Sequence, residues 1–407
     1  MAEALEGLKI LDLSRYAPGL YCTMILGDLG ADIIKIEEVG SKAGSFTGRR
    51  AKQMEGTTGI AYPPEFPPSD SVYNPLNRNR RSICLNLKMP EGRDIFYQMT
   101  EKADVVVEGY RPGVAKRLGI DYPTLRGINQ RIIYCAITGY GQDGPYRDLV
   151  GHDLNYISLG GALGMMSHPG VPPSIPGNLL GDMAGGGMQA AIGILAALMA
   201  RVRTGKGQFV DIAMTDGVVS LLSFYLARYF HYGQLPKEED MSSTGAKHYY
   251  NVYETKDGKF ISVACAPEPW FYANLCKALE CEEFIPFQTD VEKAGEIRAY
   301  FAKKFLTKTR DEWFNILSQS DIAVGKVYSL DELPSDPQMQ HRRMIVEINH
   351  PVKGKIKQAG ISIKLSETPG TVRRLGGTPG EHTEEVLTSL GYTHDDIGML
   401  RERGVIG

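Results

Sequence analysis

The sequence predicts an α/β fold with a Rossmann-like large domain and a small α+β domain. The chain has 407 residues, more than a single compact core usually contains. Near the N-terminus short apolar strands alternate with helical segments, which is the order that builds parallel sheets. After Pro236 the composition changes, and an alternating segment with a hairpin turn is followed by several helices.

The first strand–helix–strand unit occupies the N-terminal 37 residues. Residues 8–13 are apolar enough for a strand, residues 20–29 for a helix that Gly30 ends, and residues 31–37 for a second strand. Two parallel strands joined by a helix form a right-handed crossover. The first loop lacks the GxGxxG pattern, so we infer no NAD site.

Further strands and helices continue this alternation through the large domain. The expected strands are residues 83–87, 104–108, 131–137 and 209–213, and the expected helices are residues 90–103, 183–203 and 216–232. Residues 138–146 form a Gly-rich loop directly after the strand at 131–137. Open α/β sheets bind ligands at the carboxyl ends of their strands, so this loop is a candidate binding segment.

We expect three stretches in the domain organisation. Residues 1–224 form the first part of a large Rossmann-like domain, residues 225–330 a small α+β domain, and residues 331–407 a return segment that completes the large domain. The small domain contains a hairpin over 249–264, turned by Asp257-Gly258, and helices over 269–279, 291–305 and 310–319. The return segment contains a hairpin around 353–355 and a helix over 380–403.

Composition excludes several classes of partner. The hydrophobic fraction of 43%, the charged fraction of 23% and the net charge of −3 are ordinary for a globular protein and give no basic footprint for nucleic acid. We find no apolar run that is long enough to span a bilayer. The first seven residues are acidic and lack the order of a signal peptide, so we expect no membrane association and a cytoplasmic location.

The cysteines predict neither disulfides nor a metal site. Six cysteines are present and none forms a CxxC pair. Cys276 and Cys281 are close in sequence, but no histidine or second pair completes a zinc set. We interpret all six as small buried side chains and expect no metal.

A long loop and an arginine cluster precede the third strand. Residues 40–77 are rich in Gly, Pro and Ser, which is typical of a lid or binding segment, with disorder as the alternative. Arg78, Arg80 and Arg81 then follow in what we expect to be a loop before the strand at 83–87. Guanidinium groups bind phosphates well, and a solvated charged turn is the alternative.

The segment from Gly151 to Gly187 contains the two side chains with the most promising chemistry, His152 and Asp182. Asp182 directly precedes the expected apolar helix at 183–203, where a carboxylate faces unpaired N–H groups and the positive end of the helix dipole. The glycines at 185–187 would allow a ligand or another backbone to approach closely. A simple N-cap, a structural histidine and tight helix packing are the alternatives.

Several motifs in this order resemble the family III CoA transferases and their relatives, the α-methylacyl-CoA racemases. The resemblance covers nearly the whole chain and rests on the segments together rather than on any one of them. The segments are residues 11–13 with Pro18-Gly19, 26–32, 80–82, 108–113, 139–146, the Asp182 segment, 204–208 and 380–387.

The resemblance implies an interlocked dimer, either a homodimer or a heterodimer with a related chain. It implies acyl-CoA and carboxylic acid substrates, with the coenzyme A thioester as substrate and no tightly bound cofactor. The active site would lie between the two domains, with CoA held mainly by the large one. Glu38 stands where many members have an arginine. The candidate CoA-binding residues are Arg15, Tyr16, Ala17, Arg78, Arg80, Arg81, Tyr110 and Arg117.

CoA transfer between carboxylic acids is the first hypothesis that the resemblance implies. The carboxylate that matches Asp182 attacks a donor thioester in the transferases, forms a mixed anhydride and displaces CoA thiolate. The CoA thiolate then returns, and the acceptor acid ends up as the thioester. The backbone N–H groups of Gly185 and Gly186 are candidates for holding the oxyanion. Overall length, the extended segment at 40–77 and the prevailing chemistry of the family place this hypothesis first.

Racemisation of a 2-methylacyl-CoA or 2-arylacyl-CoA is the alternative that the resemblance implies. In the racemases the same carboxylate transfers protons to and from the substrate, and it is paired with a histidine, which here is His152, and with a glutamate, which matches Glu268. The resemblance implies that Asp182 and His152 are the two proton-transfer groups and that Glu268 orients His152 or polarises the site. Racemisation needs two groups on opposite faces of Cα, one that takes a proton and one that returns it. Many family transferases lack a histidine at this place.

Overall fold

The computed structural model describes residues 2–40, 68–166, 172–235 and 247–407 and divides into two compact units. The first unit contains Met1–Leu163, Ile175–Leu221 and Gln338–Gly407, and the second contains Gly164–Ser174 and Leu222–Pro337. The second unit thus begins at Leu222, where we expected residue 225, and includes a short stretch that we had assigned to the large domain. Most of the loop at 40–77 lies outside the described residues.

A six-stranded sheet forms the centre of the first unit. All neighbouring strands are parallel, in the order β3-β2-β1-β4-β5-β6. This order confirms the Rossmann-like α/β prediction, and it places the topological switch point between β1 and β4. The strands are β1 Lys9–Asp12, β2 Asp32–Glu37, β3 Arg80–Cys84, β4 Val105–Glu108, β5 Ile133–Thr138 and β6 Phe209–Ala213.

Helices cover both faces of this sheet, which explains why its central strands are apolar throughout. Every residue of β4 and β5 is buried. Alternate residues enter two separate cores, with Val106 and Tyr134 in one and Val105 and Cys135 in the other, as expected for a doubly covered parallel sheet. The helices of the first part of this unit are α1 Ala17–Asp28, α2 Pro90–Glu101, α3 Val114–Leu118, α4 Tyr122–Ile128, α5 Asp153–Leu159, α6 Gln189–Thr204 and α7 Met214–Leu221.

Strand β3 begins earlier than predicted, at Arg80 rather than at residue 83. Arg80 pairs with Ile33 and Arg81 with Ile34 of β2, so both arginines belong to the sheet and not to a preceding loop. A charged residue fits inside a strand when carboxylates pair with it, and both arginines have such partners. Sequence pattern alone placed them in a turn because it could not see these partners.

The apolar helix at the centre of the first unit also begins earlier than predicted. A π-helical segment, Leu180–Met188, precedes α6 and continues into it. Asp182 therefore lies in the first turn of the segment and does not stand before the helix as its N-cap. Segments of this kind often occur at functional sites.

By length and composition alone, the continuous helix Leu180–Thr204 could cross a membrane. The expectation that no run reaches that length is therefore wrong for this helix. Core helices of soluble proteins pass the same criterion, so the finding is weak evidence for a membrane span.

The C-terminal segment joins the large unit beside β3. Strands β10 (Ile345–His350) and β11 (Gly354–Ala359) form the expected antiparallel hairpin, after a short helix α12 (Pro337–His341). The predicted helix over 380–403 is instead two helices, α13 (Thr383–Leu390) and α14 (His394–Glu402). Gly391 separates them, with a φ of 102° that glycine adopts without strain.

The second unit is α+β, as predicted. Strands β7 (Tyr250–Glu254), β8 (Phe260–Ala264) and β9 (Val324–Val327) form an antiparallel sheet, and the predicted hairpin joins the first two. The helix expected over 216–232 is two helices, since α7 ends at Leu221 in the first unit and α8 begins at Ser223. The helices of the second unit are α8 Ser223–Tyr232, α9 Pro269–Ala278, α10 Ala294–Phe305 and α11 Arg310–Leu317.

All six cysteines of the chain are free and buried, which confirms the prediction that they are small buried side chains.

Candidate active site

The loops after β1 and β4 meet at the switch point of the sheet. The Leu13 N–H donates to the Val107 carbonyl at 2.8 Å, which keeps the two strand ends side by side. Arg15 and Tyr16 follow β1 and are exposed, and Ala17 begins α1. Doubly wound sheets bind ligands at this place, so these residues lie where the fold favours a ligand.

Tyr110 occupies the neighbouring loop, directly after β4. Its N–H donates to Oε2 of Glu108 at 2.6 Å. Burial raises the pKa of the Tyr110 phenol to about 12, and the positive charge of Arg15 opposes that shift. Arg15 and Tyr110, which we predicted as two separate CoA-binding residues, therefore lie close enough to interact electrostatically.

A hydrogen bond to helix α5 fixes the backbone of Asp182. Its N–H donates to Oδ1 of Asp153 at 2.8 Å, and Asp153 is the first residue of α5. Burial raises the pKa of the Asp182 carboxyl to about 6, and the nearby Asp153 carboxylate raises it further. Asp182 is therefore a half-buried carboxyl that titrates close to neutral pH.

This pKa makes the stability of the protein depend on pH in a specific direction. The Asp182 pKa is higher in the folded state than its ordinary value of 3.8, so the stabilisation from proton binding is complete below about pH 4 and is lost as the pH rises through about 6. We expect Asp182→Asn to be more stable than the wild type at pH 7.5, by a margin that shrinks towards pH 5. Urea unfolding at the two pH values measures this, and an unchanged difference would contradict it.

His152 is the N-cap residue of α5, directly before Asp153 in the sequence. Its backbone N–H donates to the Asn155 side-chain oxygen at 3.0 Å, which fixes the start of the helix, and the residue itself is exposed. Because Asp153 adjoins His152 in sequence and binds the Asp182 N–H, one hydrogen bond links the two segments that carry the predicted catalytic residues.

Tyrosines line the same region, and sequence reasoning did not single out their roles. The Tyr156 hydroxyl donates to the Gly151 carbonyl at 2.5 Å, and the Tyr140 and Tyr156 ring centroids are 5.4 Å apart. Burial raises the pKa of the Tyr156 phenol, and the negative charge of Asp182 adds to the shift. Asp153 and Tyr156 belong to the same motif as His152, so the motif contained the signal that would have found them.

The glycines after Asp182 allow another part of the backbone to approach closely, which is one of the two possibilities that we expected. Gly185, Gly186 and Gly187 are buried. A Cβ on Gly185 would lie 2.6 Å from the Met214 carbonyl, and one on Gly186 would lie 3.1 Å from Pro18 Cβ. The missing side chains let the π-helical segment pack against α1 and α7, which was the alternative interpretation. The oxyanion role of the Gly185 and Gly186 N–H groups stays a prediction.

Arg78 and Arg80 are buried in ion pairs, which corrects the expectation of a free phosphate-binding cluster. The Arg78 Nη2 and Asp28 Oδ2 atoms are 2.6 Å apart, and Arg80 pairs with the buried Asp12 at 3.3 Å. Their guanidinium groups are occupied by carboxylates because a buried charge requires a partner.

The remaining predicted cations are closer to solvent. Arg81 is partly exposed and pairs with Asp32 at 2.6 Å and Glu385 at 2.8 Å. Arg15 pairs with Glu38 at 3.0 Å, which Lys88 also contacts. Arg117, in α3, is exposed. Arg15 and Arg117 therefore have the more accessible positive charges.

The remaining predicted catalytic residue, Glu268, lies in the second unit. It occupies the N-cap position of α9 and is half-buried. Tyr272, in the same helix, is buried in the core of that unit, and its hydroxyl donates to the Phe284 carbonyl at 3.3 Å. Within the described ranges, no group of three or more His, Cys, Asp or Glu side chains is arranged to hold a metal ion.

Doubly wound α/β proteins with a switch-point site form a broad class, and comparison with known proteins narrows it. The chain belongs to CoA-transferase family III, whose profile matches residues 5–383. It is 32% identical to human alpha-methylacyl-CoA racemase, covering 99% of this chain and 97% of the relative. It is also 32% identical to human succinyl-CoA:glutarate CoA-transferase, covering 99% of this chain and 90% of the relative.

A solved structure supports the same assignment. The CAIB/BAIF family protein from Brucella suis matches with a TM-score of 0.79 and 26% identity, over 96% of this chain and 100% of that chain. The relatives thus include both racemases and CoA-transferases, and membership of the family does not choose between the two reactions.

Proposed function

We propose that this protein is an acyl-CoA enzyme in which the Asp182 carboxyl is the reacting group, and that it transfers the α-proton of a 2-methylacyl-CoA or 2-arylacyl-CoA. In this reaction one group takes the proton from C2 of the thioester and leaves an enolate. A second group on the opposite face returns a proton to C2. No electron transfer or co-reactant is required.

The observation that carries this proposal is the link between Asp182 and the His152 segment. The Asp182 N–H binds the Asp153 carboxylate at 2.8 Å, and His152 directly precedes that residue. A carboxyl with a pKa of about 6 exchanges protons readily near neutral pH, and the His152 imidazole supplies a second nitrogen group for general acid–base catalysis. Because two such groups suit proton transfer at Cα, we propose racemisation ahead of CoA transfer, the reaction that the sequence alone favours. Glu268 is proposed as a third participant, as the resemblance implies.

CoA transfer through an aspartyl mixed anhydride at Asp182 is the second candidate. It is favoured by the half-buried position of the carboxyl, because partial removal of water makes a carboxylate a better nucleophile. Similarity to succinyl-CoA:glutarate CoA-transferase supports it as well. Under this candidate the substrates are an acyl-CoA donor and a carboxylic acid acceptor.

Incubation with substrate in D2O tests the first candidate. We expect (2S)- and (2R)-2-methylacyl-CoA or 2-arylpropionyl-CoA to gain one deuterium at C2, which mass spectrometry measures, while the two epimers interconvert. We expect His152→Gln to slow deuteration by about 100-fold or more, in line with the loss of one general acid or base.

Pivaloyl-CoA is the matched control substrate because it has no α-proton but can still donate CoA. We expect no deuteration of pivaloyl-CoA and no exchange of its CoA with labelled carboxylic acids. Exchange of CoA from pivaloyl-CoA or 2-methylacyl-CoA into an acid, without α-deuteration of the latter, would reject the racemase and support the transferase.

We further propose where CoA binds. Arg15, Tyr16 and Ala17 at the switch point, with Tyr110 and Arg117 from the neighbouring loop and helix, form the candidate CoA-binding group. Their support is the position of the two loops at the carboxyl ends of β1 and β4 and the exposure of Arg15 and Arg117. We expect the variants Arg15→Gln and Arg117→Gln to bind CoA more weakly than the wild type, and a titration with CoA measures this.

We propose that the protein forms an interlocked dimer, in which a second chain covers part of the first unit. The second chain is either another copy of this chain or a related chain. Apolar side chains form an exposed stripe along the long helix, at Met188, Ile192, Met199 and Val202. Contiguous exposed apolar surface of this kind often marks a protein–protein interface. Sedimentation of the purified chain decides between dimer and monomer. A cytoplasmic location remains part of the proposal.

A further inference from the structure

The carboxylate of Asp12 lies directly before the loop that carries the candidate CoA-binding residue Arg15. Asp12 is the last residue of β1, and in the sheet it pairs with Lys35 of β2 on one side and with Val107 of β4 on the other. Its side chain is fully buried. Because strands on both sides hold its backbone, this carboxylate is a fixed point at the carboxyl end of the sheet.

Both oxygens of the Asp12 carboxylate accept hydrogen bonds, and one of them binds the loop. Oδ1 accepts from the Ser14 N–H at 2.8 Å and from the Ser14 hydroxyl at 2.5 Å. Oδ2 accepts from the hydroxyl of Thr23, in α1, at 2.8 Å. An aspartate that binds the N–H two residues further along stabilises a tight turn. Asp12 therefore stabilises a turn at Ser14, immediately before Arg15.

Two buried cations keep the Asp12 carboxyl ionised. Lys35 Nζ lies 3.5 Å from Oδ1, and Arg80 Nη1 lies 3.3 Å from Oδ2. Burial opposes ionisation, but the charges of Lys35 and Arg80 and the bonds from Ser14 hold the pKa of this carboxyl below its ordinary value of 3.8. Hydrogen bonds to an ionised acceptor are stronger than those to a neutral one, so the bonds to Ser14 are strong at neutral pH.

Ser14 is also packed against the first turn of α1. A Cβ on Gly19 would lie 2.2 Å from Ser14 Cβ and 2.6 Å from the Ser14 hydroxyl oxygen, so Ser14 occupies the space that a side chain at Gly19 would fill. Ser14 is only 1% exposed, whereas Arg15 and Tyr16 directly after it are exposed. A residue that is fixed on two sides thus limits the directions that the exposed loop can take.

We propose that Asp12 and Ser14 are positioning residues for CoA, in which the Asp12 carboxylate holds the turn and the turn places residues 15–17 for binding. This inference rests on the proposed CoA-binding group and deepens it by naming two residues that act on CoA through their neighbours. A loop that is already held in its bound conformation loses less entropy on binding. The effect therefore falls on the affinity for CoA and not on the reaction at Asp182.

Ser14→Ala and Thr23→Val are a matched pair of variants that tests the positioning role. Each removes one buried hydroxyl that donates to Asp12, from the loop in one case and from α1 in the other, and leaves every charge in place. We expect calorimetric titration with CoA to show binding about 3- to 10-fold weaker in Ser14→Ala, the effect of one hydrogen bond, and within about 2-fold of wild type in Thr23→Val. A purely structural role of the Asp12 carboxylate would affect both variants alike.

The kinetics of α-deuteration provide a second measurement. With a 2-methylacyl-CoA we expect Ser14→Ala to raise KM by the same factor by which it weakens CoA binding. The rate at saturating thioester should stay within about 2-fold of wild type, because a loss of binding that is equal in the ground state and the transition state changes KM and not kcat.

Arg15→Gln separates failure of this inference from failure of the proposed CoA site. Weaker CoA binding in Arg15→Gln, with wild-type affinity in Ser14→Ala, would overturn the positioning role and leave the CoA site in place. Unchanged affinity in both variants would reject the site and the positioning role together. Equal weakening in Ser14→Ala and Thr23→Val would overturn the positioning role, since the loss would then follow from general disturbance of Asp12.

Discussion

Asp182→Asn is expected to lower α-deuteration of a 2-methylacyl-CoA in D2O by about 10²- to 10⁴-fold, the usual effect of removing a positioned general acid or base. The amide has nearly the shape of the carboxyl but can neither take nor return a proton at neutral pH. The backbone N–H that binds Asp153 at 2.8 Å remains in the variant, so the position of the helix does not depend on the substituted group. Initial deuteration rates at saturating thioester measure the change.

Asp148→Asn is the matched control, because it makes the same chemical change at an exposed position of the loop before His152. It should keep the wild-type rate. A rate within about 3-fold of wild type for Asp182→Asn would show that this carboxyl is not the proton-transfer group, since that loss is far below the range for general acid–base catalysis. Loss of deuteration with retention of CoA exchange would assign the two reactions to different groups.

Arg78→Met is expected to cause the largest loss of stability. The Arg78 guanidinium donates to both oxygens of Asp28, at 2.8 Å from Nε and 2.6 Å from Nη2, and its Nη1 donates to the Ala359 carbonyl at 2.6 Å. Removing the cation leaves the Asp28 carboxylate buried without its main partner. Breaking a buried pair in this way typically costs about 3–5 kcal/mol in the free energy of unfolding. Urea unfolding at pH 7.5 measures it.

A double variant and a surface pair provide the controls for this prediction. Arg78→Met combined with Asp28→Leu removes both charges and should recover much of the loss, because replacing a buried pair by apolar side chains is often close to neutral. Lys355→Met breaks the exposed pair with Glu347 and should leave the unfolding midpoint unchanged within error, since exposed pairs contribute little. Equal losses for Arg78→Met and Lys355→Met would contradict the structural role of Arg78.

The sequence was sufficient to predict the sheet because its strands are short apolar runs separated by helical segments. The parallel order and the hairpin at Asp257-Gly258 are both found in the structure. Errors occurred where tertiary contacts override local pattern. Strand β3 includes Arg80 and Arg81 because carboxylates on neighbouring elements neutralise them, and those partners are tens of residues away in sequence.

The sequence predicted only part of the candidate site, for a related reason. Asp182 and His152 were found because they lie in motifs with reactive side chains. Their connection through Asp153 could not be predicted, since 29 residues separate Asp153 from Asp182. Glycine-rich sequence is equally compatible with ligand approach and with helix packing, and only the structure distinguishes them at Gly185 and Gly186.

The close packing of the π-helical segment implies that a residue without a reactive side chain controls the position of the Asp182 carboxyl, the group proposed to react. A Cβ placed on Gly217 would lie 2.1 Å from the Gly185 carbonyl, so a methyl group there must push the segment away from α7. Such a displacement would carry Asp182 with it, although Gly217 is distant in sequence from every residue proposed to react. Substitution of Gly217 should therefore impair the proposed reaction, although Gly217 itself takes no part in it.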